Sequence, residues 1–310
     1  KEGVQPLMFT FDNQRLYVSS NRGRDKAAIF EFDPVTAKEG KLLFEHPEVD
    51  VSALGHSRKR KVLTTVPYTT WKGQRHFLDK ESEAMFKDVE AKLPGYEIGF
   101  TSTNKSEDKY IVATFNDKTR GKRYLYDKTS GKLDFLADIS PWLPEGELAD
   151  MKPVSYRSRD GLTINGYLTL PKGVAAKNLP VVVNPHGGPW ARDSWRFNPE
   201  VQFLANRGYA VFQMNFRGST GYGRSFWEAS FKQWGKTMQD DVTDGVQWLV
   251  KEGIADPKRI GIYGGSYGGY TTLAGITFTP DLYAAAVDYV GVSNLFTFMG
   301  TIPPYWKPYL

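Results

Sequence analysis

Apolar residues in the first 145 positions come in strand-length bursts, without a long helical stripe. Three times a basic residue opens an apolar or β-branched run: Arg15-Leu16-Tyr17-Val18, Lys61-Val62-Leu63-Thr64 and Lys109-Tyr110-Ile111-Val112, at spacings of 46 and 48. A second marker keeps step. Asp33, Asp79 and Asp127 follow short strands at the same two spacings and read as turn residues between paired strands. A period in the forties with several short strands per unit predicts β-propeller blades, about three of them. A closed propeller takes roughly four blades or more, so further blades are expected before Lys1. An open β-sandwich with coincidental spacing is the alternative.

From about residue 150 the pattern becomes strand, loop and helix. Strands are predicted at 154–157 and 162–170, antiparallel around Asp160-Gly161. The β-branched run 179–184 reads as a fully buried strand. A helix over 199–206 ends at Gly208, and a strand over 209–216 follows. Residues 238–252 put Val242, Val246, Leu249 and Val250 on one helical face. Asp240, Asp241 and Asp244 lie near that helix's start, where carboxylates suit the macrodipole better than they suggest a metal pair. A strand over 259–263, a helix over 267–277 and a strand over 284–290 complete the series. Such alternation predicts an α/β domain, a parallel sheet with helices on both faces, over 151–310, preceded by a partial propeller over 1–150.

Composition narrows the field. Mean hydropathy is −0.46 and no apolar run nears the roughly 18 residues of a membrane span, so membrane residence is not expected. The absence of cysteine removes disulfides, thiolate nucleophiles and cysteine metal sites together. The net charge of +5 is uneven, with 24 basic and 24 acidic residues in 1–150 against 16 and 11 in 151–310. That field is weaker than a nucleic-acid footprint, and the run Arg58-Lys59-Arg60-Lys61 reads as a solvated loop.

The chemistry concentrates at Gly264-Gly265-Ser266-Tyr267-Gly268-Gly269, between the strand over 259–263 and the helix after it. This is the G-x-S-x-G pattern in a strand–turn–helix context. Glycines two before and two after the serine let strand and helix pass closely, and the strained turn presents the hydroxyl. The Tyr267 N–H, at a helix N-terminus, faces the place where an oxyanion would form. A phosphate loop would instead call for G-x-G-x-x-G or Gly-Lys-Ser/Thr, and neither is present. His186-Gly187-Gly188-Pro189 follows the buried run, where a hydrolase oxyanion loop lies. His186 reads as a loop-shaping residue in preference to a general base.

These motifs, with Phe216-Arg-Gly-Ser-Thr-Gly-Tyr-Gly223 and Pro280-Asp-Leu-Tyr-Ala-Ala-Ala-Val287, resemble the prolyl oligopeptidase family of serine peptidases, particularly its acylaminoacyl-peptidase and dipeptidyl-peptidase-like branches. The resemblance spans the whole chain and implies a propeller followed by an α/β-hydrolase domain. It implies Ser266 as nucleophile, the N–H groups of Tyr267 and Gly188 as oxyanion donors, and Val292, Leu295 and Phe298 lining an apolar pocket for the side chain before the scissile bond. It further implies a propeller that restricts access to short or unfolded peptides. No cofactor or metal is expected, and the expected partner is a peptide, with association of identical chains and the compartment left open.

One departure qualifies the resemblance. The family's acid and base follow the serine, whereas His46, His56, His76 and His186 all precede Ser266 and only 44 residues come after it. The chain therefore reads as an interior piece of a longer enzyme, inactive alone. An esterase of the same fold and a non-catalytic propeller-based binding protein are the competing readings.

Overall fold

A computed structural model describes residues 2–305, so Trp306 and Tyr309, read from sequence as part of a proline-flanked loop with Tyr305, lie outside the described residues. The chain separates into two compact units, Lys1–Gly146 with Gly221–Arg224, and Glu147–Thr220 with Ser225–Leu310.

The first unit is built from antiparallel meanders. Strands β1 (Val4–Phe9), β2 (Leu16–Ser20), β3 (Ala28–Asp33) and β4 (Lys38–Phe44) form one four-stranded sheet in sequence order. Hairpins β5 (His56–Ser57)–β6 (Val62–Leu63) and β7 (Thr65–Thr69)–β8 (Gly73–Phe77) follow, then helix α1 (Lys80–Lys92). Strands β9 (Glu97–Thr103), β10 (Lys109–Phe115), β11 (Lys122–Asp127) and β12 (Lys132–Asp138) make a second four-stranded meander. Strand β3 is buried on both faces: Ala28 and Phe30 pack with Val18, while Ile29 packs with Val51 and Val66. This two-sided burial is what stacked blades require.

The aspartate marker splits into two kinds. Asp33 Oδ1 accepts from the N–H groups of Val35 and Thr36 at 2.9 and 3.2 Å, and Asp127 Oδ1 accepts from Thr129 and Ser130 at 2.9 and 3.1 Å. Both close strand-to-strand turns, as expected. Asp79 departs from that expectation. It caps α1, accepting from Ser82 N at 2.9 Å, and is gripped by Arg60 at 3.0 and 2.7 Å. The difference lies four residues on, where Ala37 and Gly131 take a left-handed φ (53° and 68°) that ends a turn, while Glu83 continues a run of good helix formers.

In the second unit, β13 (Met151–Arg157), β14 (Thr163–Thr169), β15 (Leu179–Val183), β16 (Ala210–Asn215), β17 (Ala255–Gly265) and β18 (Ala285–Tyr289) form one sheet in the order β13-β14-β16-β15-β17-β18. The sheet is mixed. Pairings β13/β14 and β14/β16 are antiparallel, because a tight turn at Gly161 joins the first pair, and the other three are parallel. Helices α2 (Pro199–Asn206), α3 (Arg224–Glu228), α4 (Thr237–Lys251), α5 (Tyr267–Phe278) and α6 (Leu295–Thr301) complete the series. Asn198 caps α2 through Glu200 N and Val201 N, with Pro199 at the first helical position. Strand β16 is buried at every position, and α4 lays Met238, Val242, Val246 and Leu249 on the core. This is an α/β-hydrolase-type sheet preceded by part of a β-propeller.

Strand order decides where the site lies. The chain runs from β15 out to β16 and returns to β17 on the other side of β15. The carboxyl ends of β15 and β17 are therefore neighbours, with Val183 opposite Ile262, and the loop after β15 emerges beside the turn after β17.

Candidate active site

Ser266 occupies that turn with φ 57° and ψ −118°, a region that L-residues with side chains rarely adopt and that costs on the order of 1–3 kcal/mol. The neighbouring glycines make the strain tenable. A β-carbon on Gly264 would lie 2.4 Å from the Gly268 main chain, and one on Gly268 would lie 2.2 Å from the Pro185 carbonyl oxygen. The turn is also latched from β18, since Ser266 N–H donates to Tyr289 O at 2.9 Å. Ser266 itself is exposed, stands at the N-cap of α5 without capping it, and its hydroxyl makes no hydrogen bond among the described residues. Its Oγ is thus free to meet a ligand. Tyr267 supplies the first N–H of α5, which has no partner within the helix, while its buried ring presses the phenol pKa far upward.

The His186–Gly188 loop comes against this turn at Gly187. A β-carbon there would be 3.1 Å from Gly265 O and 3.4 Å from Ser266 Cβ, a tight fit for any larger residue. Gly188, the expected second donor, follows at φ 127°, exposed, with room for a side chain closed off by Trp190 N at 2.7 Å. His186 has both ring nitrogens engaged, Nδ1 with Gly187 O and Nε2 with Ser219 Oγ, each at 2.8 Å. Its ring stacks on Phe216 at 4.3 Å, and burial lowers its pKa to about 4. A neutral imidazole with Nδ1–H donating to the carbonyl and Nε2 facing the hydroxyl shapes the loop, as read from sequence. The other three histidines lie in the first unit, near aromatic rings: His46 by Tyr68, His56 by Phe11 and His76 by Phe44.

Of the expected pocket residues, Val292 packs on the hydrophobic core that includes Tyr267. Phe298 stacks on Trp234 at 5.7 Å, and Trp234 meets the Tyr267 ring edge-on at 4.6 Å. Leu295 begins α6 and is 39% exposed. Trp234 was not legible in the sequence, because it sits in a loop with no periodic neighbours.

The motif starting at Phe216 contains a buried ion pair that pattern reading also missed. Arg217 donates through Nε and Nη2 to both oxygens of Asp241, at 2.8 and 2.7 Å, and through Nη1 to Asp160 at 2.8 Å. Asp241 lies near the start of α4, as read from sequence, but is fully buried, which that reading did not anticipate. Asp240 and Asp244 pair with Arg159.

Residues 195–309 match the prolyl oligopeptidase family. The chain is 39% identical to dipeptidyl aminopeptidase BIII of Pseudoxanthomonas mexicana over 99% of its own length and 45% of that protein's. It is 31% identical to dipeptidyl peptidase family member 6 of Caenorhabditis elegans, over 98% and 44%. A puromycin-hydrolyzing peptidase of Mycobacterium tuberculosis superposes with a TM-score of 0.79 at 26% identity, covering 100% of this chain and 48% of that one. The chain spans about half the length of the curated relatives it matches. The likeness to the prolyl oligopeptidase family is thus carried by residues 195–309, and the similarity to peptidases extends over nearly all of the chain.

Proposed function

We propose that the chain carries the nucleophile and oxyanion side of a serine peptidase site, with residues 151–310 as the catalytic part and 1–150 as a partial propeller of about three blades. Ser266 Oγ attacks the peptide carbonyl while its proton passes to a histidine that these 310 residues do not supply. The carbonyl oxygen takes the negative charge and is held by the N–H groups of Tyr267 and Gly188. Collapse of this intermediate breaks the C–N bond, the histidine's proton leaves with the amine, and water then releases the acyl group from Ser266. Val292, Leu295 and Phe298 would receive the side chain before the scissile bond.

The observation that carries this reading is the exposed, unpartnered hydroxyl of Ser266 on a left-handed turn that only flanking glycines permit. The relatives' names, dipeptidyl aminopeptidase and puromycin-hydrolyzing peptidase, favour amide bonds of short peptides over simple esters. The test is to assay the whole protein on an aminoacyl anilide and on a simple ester, with Ser266→Ala as control. Hydrolysis of the anilide, abolished by the substitution, is expected, and turnover of the ester alone would overturn the peptide assignment. The 310 residues by themselves should react with a fluorophosphonate slower by on the order of 10⁶, since no base assists the serine. Labelling at a normal rate would refute that part.

A further inference from the structure

The loop joining α3 to α4 delivers an aromatic side chain, Trp234, to which the proposed reaction gives no task. The loop is firmly built. Lys232 and Gly235 take left-handed φ values of 58° and 69°. The N–H groups of Gln233 and Lys236 donate to the Ser230 and Gln233 carbonyls at 3.1 and 3.0 Å. A β-carbon on Gly235 would lie 2.6 Å from the Tyr270 hydroxyl, so the loop main chain comes down close on a side chain of α5.

Trp234 lands among three rings. It meets Tyr267 edge-on at 4.6 Å, lies tilted against Tyr270 at 5.3 Å, and stacks on Phe298 of α6 at 5.7 Å with 24° between the planes. The Tyr267 side is fixed: that ring is buried, packs on Phe216 at 5.4 Å, and its hydroxyl donates to Met238 Sδ at 3.6 Å. The Phe298 side is the open one, because α6 buries none of its residues and leaves Phe296 and Met299 exposed. Trp234 itself is half-buried, and its indole N–H has no hydrogen-bond partner among the described residues. A large ring held in this way offers contact area at little cost in side-chain freedom.

We propose that Trp234 is a specificity-determining residue, its indole closing the far end of the pocket that Val292 and Phe298 begin and so limiting the length of the apolar side chain accepted before the scissile bond. Val292 and Trp234 pack on the same core, which includes Tyr267 and Tyr270, so this wall starts beside the residue that follows the nucleophile. A side chain reaching past Phe298 meets a ring backed by buried Tyr267. One methylene in such a pocket is worth roughly 10- to 200-fold in kcat/KM. The proposal rests on the peptidase reading of Ser266.

The test is steady-state kinetics of the whole protein on alanyl and phenylalanyl anilide. Trp234→Ala is expected to raise the ratio of kcat/KM for the phenylalanyl over the alanyl substrate about tenfold, and Trp234→Phe, which keeps a ring and strands no hydrogen bond, about threefold. A merely structural role would lower both substrates by one common factor and leave the ratio in place. An unchanged or lowered ratio in the alanine variant overturns the proposal. If that variant does not fold, the phenylalanine variant decides, and a wild-type ratio there overturns the proposal equally. Wild-type protein that hydrolyses neither anilide would overturn the peptidase reading and the proposal together, whereas an active wild type whose ratio does not move on substitution removes the proposal alone.

Discussion

Gly264 and Gly268 approach each other across the strand–helix turn so closely that one added methyl on Gly264 would stand 2.4 Å from the Gly268 main chain. Main-chain atoms cannot rotate away as a side chain can. Gly264→Ala should therefore cost about 3 kcal/mol of stability, at the upper end for overpacking, and should abolish reaction at Ser266 even where the protein stays folded. Urea unfolding together with fluorophosphonate labelling of the whole protein checks both outcomes, and an alanine variant with an unchanged midpoint would show that the turn can relax.

His186 predicts a pH dependence of stability. Its folded pKa of about 4 lies below the ordinary value of 6.5, so between these values the unfolded chain takes up a proton that the folded chain refuses. The contribution is fully present above pH 6.5 and is lost as pH falls toward 4. Allowing for the residue's partial exposure, the loss is on the order of 2 kcal/mol. Unfolding midpoints of wild type and His186→Gln should converge as the pH drops across this window. A constant gap between the two would refute the buried neutral imidazole.

Much of the turn was legible because its constraint is local: glycines two before and two after a serine, with a strand before and a helix after, state a steric requirement within six residues. Strand β15 was legible for a related reason, since a strand covered on both faces reads as a continuous apolar, β-branched run. The pairing of Arg217 with Asp241 was not legible. Those residues stand far apart in sequence, and a charged residue near a helix start has an ordinary surface explanation until the tertiary structure buries it. Helix α1 was missed because Asp79 shares its spacing with two genuine turn aspartates, and only the helix-forming residues after it separate the cases. The meeting of Phe298, Trp234 and Tyr267 likewise arises from packing between elements, which a linear pattern does not carry.

The buried pair makes a strong prediction. Asp241→Ala strands the Arg217 guanidinium, 7% exposed, with only the partly exposed Asp160 as partner. Removing one member of such a pair should cost about 3–5 kcal/mol, whereas Asp160→Ala should cost about 1 kcal/mol or less. Denaturant midpoints of the two variants compare them directly. Equal effects would mean that the guanidinium can reach water once Asp241 is gone.

Asp79 makes a local prediction in the first unit. Replacing it by alanine removes the α1 cap and one of the two carboxylates that pair with Arg60, the other being Glu81, together worth about 1–2 kcal/mol. Hydrogen exchange should quicken in the first turn of α1, while the amides of β10 and β11 keep their protection. Uniform acceleration throughout the unit would indicate that α1 is part of its cooperative core.

Tyr289 illustrates how differently one position can treat its two halves. Its ring is 63% exposed, yet its carbonyl holds the Ser266 N–H. Evolution or an engineer could exchange that ring for many others at little cost to the reactive bend. Slipping the strand by a single residue would unhook it, so freedom in the side chain here conceals an inflexible demand on the register of the chain.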